Sequence, residues 1–261
     1  MMGYLLSRWW FYGIIAAVSF LLFLFANLPA TFVYETLRGR LAPLQLGDIS
    51  GTLWSGRASQ LVYPPVRLES LRWEVNPRDV VRGKPAGLFY VGNSKQFRLR
   101  GRLDASDWSR PRLQQVNGDT NIPFLANLFK DFSFQIKGEV EFAFDDFAMR
   151  ANNFPEITGR VDVTGLEFGP PWKVYLGDIR LNAGMEGDMI LVKVNDTRSP
   201  LAINMALNLW ETGRYRLKGV IEVQAGDNKA AMEEFLRQSM GLVPDNGRFP
   251  LNFAGTVPYF R

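Results

Sequence analysis

The sequence predicts an all-β protein tethered by one N-terminal transmembrane helix, its strands forming long, bent antiparallel sheet with one or two short helices. Three observations predict it. An uncharged stretch opens the chain, period-two alternation fills most of the remaining residues, and turn-forming residues punctuate that alternation. The 261 residues suffice for a sizeable core.

Trp9–Tyr34 carries no charge. As a helix it would be roughly 39 Å long, more than the hydrocarbon core of a bilayer requires. Its centre, Ile14–Phe25, is almost wholly aliphatic and Phe, and Trp9, Trp10 and Tyr12 suit one interface. A cleavable signal peptide is the competing reading, with Leu28-Pro29-Ala30 as a weak cleavage site; Pro29 fits it poorly and the apolar run is too long. Arg8 on one side and Arg38 and Arg40 on the other leave the positive-inside count undecided, and the short tail favours a cytoplasmic N-terminus. The expected organisation is therefore a tail at 1–8, an anchor at 9–34 and a β domain at 36–261, with a candidate sub-boundary near 117–123. Gly13 and Ala17 form a small-residue pair that suits helix packing, or is lipid-facing background.

Beyond the anchor, Phe132–Phe144 alternates a dry face (Phe132, Phe134, Ile136, Gly138, Val140, Phe142, Phe144) with a wet one. The pattern returns in Ile157–Gly165, Ile179–Met185, Leu201–Leu209 and Tyr215–Val223, as in an antiparallel meander. Two stretches read as helix: Pro123–Lys130, and Lys229–Met240 ahead of Gly241 and Pro244. Gly recurs between apolar residues in five-residue units centred on Gly51, Gly101, Gly138, Gly159, Gly219 and Gly255. Glycine weakens a strand, so this recurrence predicts bends or close backbone approach, chance being the alternative.

The chain contains neither Cys nor His, which removes thiolate nucleophiles, disulfides, imidazole bases and the usual zinc sites. The element around Ser55 lacks the glycine that a nucleophile elbow needs. Asp145, Asp146 and Asp178 show no EF-hand spacing and read as turn formers, and there is no phosphate-binding glycine loop. No catalytic residue, metal or cofactor is expected, and the chain is not read as an enzyme. A net charge of +4, with basic residues dispersed, gives no basis for a nucleic-acid partner. Arg98, Arg100 and Arg102 alternate along one strand, facing lipid phosphates, an acidic partner or simply water.

Two segments carry a family likeness. One is the membrane exit with Leu28-Pro29-Ala30 followed by Gly51-Thr52-Leu53-Trp54-Ser55-Gly56; the other is Leu71-Arg72-Trp73-Glu74-Val75-Asn76-Pro77. This order resembles the type II secretion system protein N (general secretion pathway protein N) family, in layout over the whole chain and in detail over residues 1–80 and Gly247–Val257. The resemblance implies a Gram-negative inner-membrane protein, single-pass, with its body in the periplasm. It also implies other type II secretion components as partners. Long glycine-bent strands behind one anchor are also similar to AsmA-type envelope proteins, which implies a rival function: holding lipid on a Phe- and Leu-rich concave face.

Gly51, Thr52, Leu53, Trp54, Ser55, Gly56, Trp73 and Pro77 are thus the interaction candidates. If Pro64-Pro65 marks a hairpin turn, Trp54 and Trp73 form a cross-strand pair. They are then either core aromatics or a partner surface near the membrane.

Overall fold

The computed structural model describes residues 3–64, 66–94, 96–107, 110–128, 135–149, 154–170, 172–226 and 228–257. The chain divides into two compact units, Met1–Phe89 and Tyr90–Arg261.

The first unit opens with α1 (Gly3–Ala26) and α2 (Ala30–Leu41). At 1.5 Å per residue, α1 is about 36 Å long. From Trp10 to Phe25 its large apolar side chains lie exposed on every side, as no globular core would leave them. Among the described residues, no helix is long and apolar enough to cross a membrane. Pro29 breaks the backbone between the two helices, and α2 turns Ala30 and Tyr34 inward; the Tyr34 hydroxyl accepts a hydrogen bond from Leu46 N at 3.1 Å.

There follow β1 (Gln45–Gly47), β2 (Ser50–Gly51), β3 (Ser55–Tyr63), β4 (Val66–Val75), α3 (Pro77–Val81) and β5 (Ala86–Ser94). The strand order is β1-β3-β4-β5, with β2 on β3. Tyr63 pairs with Val66, so the chain reverses between them, as the Pro64-Pro65 reading expects. Pro77 starts α3 at a position where its missing N–H costs nothing, and the Asn76 side chain caps Arg78 N at 3.0 Å.

The second unit takes up β5 past Phe89 and adds β6 (Phe97–Asp104), β7 (Arg112–Asn121), α4 (Ile122–Leu128), β8 (Ile136–Met149), β9 (Pro155–Phe168), β10 (Val174–Glu186), β11 (Met189–Arg198), β12 (Leu201–Trp210), β13 (Arg214–Val223), α5 (Lys229–Met240) and β14 (Arg248–Thr256). Strand order follows chain order, and neighbours from β6 to β14 pair antiparallel: a meander, as the alternation predicts. Helix α5 has the predicted bounds. Gly241 ends it in the left-handed conformation (φ 65°), where glycine carries no Cβ penalty.

Register aligns the apolar residues in rows. One row runs Gly118, Phe142, Val161, Leu181, Val194, Met205, Gly219, Leu251; the next holds Val116, Phe144, Gly159, Ala183, Val192, Leu207, Leu217, Phe253. Helix α5 closes only one end of this face, burying Met232, Phe235 and Leu236 against Leu201, Ile203, Ile221 and Phe249. Away from α5, Phe142, Phe144, Val161, Leu181 and Leu207 are only half-buried.

The recurrent glycines have two structural causes. The ladder slips a residue opposite Gly101 and opposite Gly138: each faces two residues of the next strand, Gln115 and Val116 on β7 and Gly165 and Leu166 on β9, so these glycines lie across from bulges that bend the sheet. Elsewhere glycine makes room. A Cβ on Gly159 would meet Phe144 Cα at 2.6 Å, and one on Gly219 would meet Met205 Cα at 2.6 Å. Large side chains sit over cross-strand glycines, so beyond the end that α5 covers the sheet packs partly against itself.

Candidate functional site

The family-like segments converge at the C-terminus of α1. Gly51 adopts φ 93° and pairs with Gly56, and a Cβ there would meet Gly56 Cα at 2.8 Å. Only glycine suits that geometry. Between them the chain makes a tight turn: Thr52 N donates to Ser55 O (2.9 Å), and Ser55 N donates back to Thr52 Oγ1 (3.2 Å).

The turn points Leu53 and Trp54 at the helix. The last carbonyls of a helix lack intrahelical donors and need partners from outside. Leu53 N donates to Leu28 O at 2.9 Å, and Pro29 forms a β-bridge with Thr52. Trp54 Nε1 donates to Phe25 O at 2.8 Å, and its ring packs on the Phe25 ring, centroids 4.6 Å apart and tilted 56°. Trp54 is buried.

Trp73 braces the turn from behind. Its Nε1 reaches both Thr52 O (3.3 Å) and Leu53 O (3.2 Å), and its ring occupies the space that a Cβ on Gly56 would need. Val75 N donates to Trp54 O at 2.6 Å. Of the eight candidates, Gly51 to Gly56 and Trp73 form one unit. Pro77 only opens α3, beyond β4.

The expected Trp54–Trp73 cross-strand pair does not form. Trp73 lies opposite Gly56, and Trp54 sits in the turn before β3, with Phe25 as its aromatic partner. The tight turn takes Trp54 out of the strand register. Phe25, the residue that receives Trp54, was not a candidate; its position about one turn before Leu28-Pro29-Ala30 was the available signal.

Other candidate groups are engaged structurally. Arg98 pairs with Asp119 (3.0 Å), Asp146 with Arg112 (3.2 Å), and Asp178 Oδ1 accepts from Gly165 N (2.9 Å). Among the described residues no group of acidic side chains is arranged to hold a metal ion. Hydrogen bonds from the Ser106 side chain and backbone N–H hold the half-buried Asp104 carboxyl below its ordinary pKa, a turn-stabilising effect. An open groove of about 910 Å³ on the polar face of the second unit is lined by charges of both signs, among them Arg98, Arg100, Glu139, Glu141, Arg160 and Asp162. Phe132 and Phe134 lie outside the described residues.

The family profile described as "Type II secretion system (T2SS), protein N" matches residues 42–252. The chain belongs to this family. It is also similar to the type II secretion system protein N of Aeromonas hydrophila, 25% identical over 247 residues, a match covering 92% of this chain and 95% of the relative. No solved structure matches it. The matched region takes in the Gly51–Gly56 turn, Trp73 and the whole meander through Asn252.

Proposed function

We propose that the chain is a non-catalytic inner-membrane component of type II secretion. In this reading α1 remains as a single-pass anchor, and the β body stands in the periplasm and acts by contact with other secretion components. Family membership supports the role in secretion. The observation that carries the finer reading is the grip of the Gly51–Gly56 turn on Phe25 and Leu28. A helix apolar on all sides is joined at its end to a folded β unit, so a position set in the bilayer is passed to the body.

Cells lacking this chain should accumulate folded secretion substrate in the periplasm, and supplying the chain should restore export. Undiminished export without it would contradict the proposal.

A second reading has its own support. The apolar face spans the strands of the second unit, and α5 covers only one end, leaving Phe142, Phe144 and Leu207 half-buried. Such a face suits acyl chains, and lipid co-purifying with the full chain would favour it.

A further inference from the structure

Among the described residues, strand β14 ends the strand order of the second unit and pairs on one side, with β13. Backbone polar groups on successive residues of a strand point to opposite edges. Val257 N donates to Gly213 O (2.8 Å), which sets the odd-numbered residues of β14 facing β13. The even-numbered residues face outward. Arg248 exchanges both its hydrogen bonds with Asp245, at 2.9 and 2.7 Å. Pro250, with no N–H to offer, stands outward and leaves the β13 ladder intact. The outward groups of Asn252, Ala254 and Thr256 have no strand partner among the described residues.

Proteins blunt exposed edges with charge, bulges or brevity. At the other end of the strand order, β1 has 3 residues. β14 has 9, runs without a register shift, and carries no charge from Phe249 to Thr256, whereas its neighbour β13 carries Arg214, Arg216, Lys218 and Glu222. Phe253 lies at the end of an apolar row and is 44% exposed.

We propose that β14 is a self-association edge, which pairs antiparallel with β14 of a second copy of this chain about a two-fold axis at Phe253. The strand is self-complementary in that register. Phe253 meets the partner copy's Phe253 in a non-hydrogen-bonded pair, the closer kind, where aromatic pairs contribute most. Asn252 meets the partner copy's Ala254, Leu251 its Gly255, and Pro250 its Thr256. No charge faces another, and the missing N–H of Pro250 falls at the margin. The apolar row Leu207, Leu217, Phe253 then continues into the second copy, covering the ring that one copy leaves in solvent. This association is independent of the secretion and lipid readings.

The chain has no cysteine, so single cysteines report cleanly. Non-hydrogen-bonded pairs across antiparallel strands have Cα separations of about 4.5 Å, within disulfide reach. Full chain carrying Phe253→Cys, oxidised in detergent and in intact cells, should form a disulfide-linked dimer. Tyr63→Cys, an exposed position in the first unit, should not. By light scattering the unmodified chain should have the mass of two copies. Phe253→Lys, which sets two cations across the axis, and Ala254→Pro, which removes an outward donor, should each give the mass of one copy with an unchanged circular dichroism spectrum. If either substitution unfolds the protein, the Phe253→Cys cross-link decides. A monomeric unmodified chain, a dimer that survives both substitutions, or cross-linking of the Phe253→Cys chain to a different protein would overturn the proposal.

Discussion

Replacing Trp54 with Ala tests whether the Gly51–Gly56 turn is a structural clasp. The side chain is 8% exposed, so its loss falls in the range of buried aromatic truncations, about 3–5 kcal/mol. Two parts of that cost separate by a gentler change. Trp54→Phe keeps a ring against Phe25 but removes the donor to Phe25 O. That carbonyl still accepts from Leu28 N at 3.3 Å, so it is not left bare, and the loss should be about 1 kcal/mol. Trp73 is only half-buried, so Trp73→Ala should cost less than Trp54→Ala, about 2–3 kcal/mol. Urea melts of the full chain in detergent, followed by far-ultraviolet circular dichroism, would rank the three. Export measured in parallel should fall with the amount of folded protein. Trp54→Ala with an unchanged midpoint and abolished export would refute the clasp and make Trp54 a contact for a partner.

Other expectations can be checked by the same melts. Gly219→Val and Gly138→Val should each destabilise by about 1–3 kcal/mol although Val is the better strand former, because Met205 stands 2.6 Å from the added Cβ at Gly219, and Gly138 holds φ 150° opposite a bulge, where an added Cβ would meet Ile122 Cδ1 at 2.9 Å. Neutral or stabilising values would make those glycines incidental. Ser55→Ala and Asp145→Ala should leave both stability and export intact, since Ser55 serves the turn through its backbone and Asp145 is exposed; lost export with a folded protein would reopen the question of chemistry. Leu236→Asp should unfold the second unit, whereas Phe142→Asp should only lower its midpoint, because Leu236 is 1% exposed under α5 and Phe142 lies half-open on the uncovered face. Equal collapse would mean the face is closed, which would count against the lipid reading.

Local periodicity carried most of the architecture. Phe142 and Phe144 alternate with Glu141 and Ala143 over a distance that a single strand spans, so β8 could be read from its own residues, as could α5 from its spacing and Gly241. The glycines were also legible as bends or close approaches. Which was which depended on the strand opposite: Gly101 and Gly138 each face a bulge on the neighbouring strand, while Gly159 lies beside Phe144 and Gly219 beside Met205. The clasp was visible only as a motif. Trp54 looked like a strand residue because it alternates with its neighbours, yet Gly51 and the Thr52 side chain fold the chain into a turn there. Its decisive bond runs to a carbonyl 29 residues earlier, and a backbone acceptor leaves no mark in the side-chain pattern. The open polar edge of β14 was likewise hidden, since strand order fixes which edge is last.

The central claim is that α1 stays in place, holding the body beyond the inner membrane, and topology tests it most directly. Protease added to spheroplasts should degrade the β body, while the chain recovered from untreated membranes should keep an amino terminus near Met1. A mature chain beginning at Thr31, or a body that resists protease until the membrane is dissolved, would contradict the account.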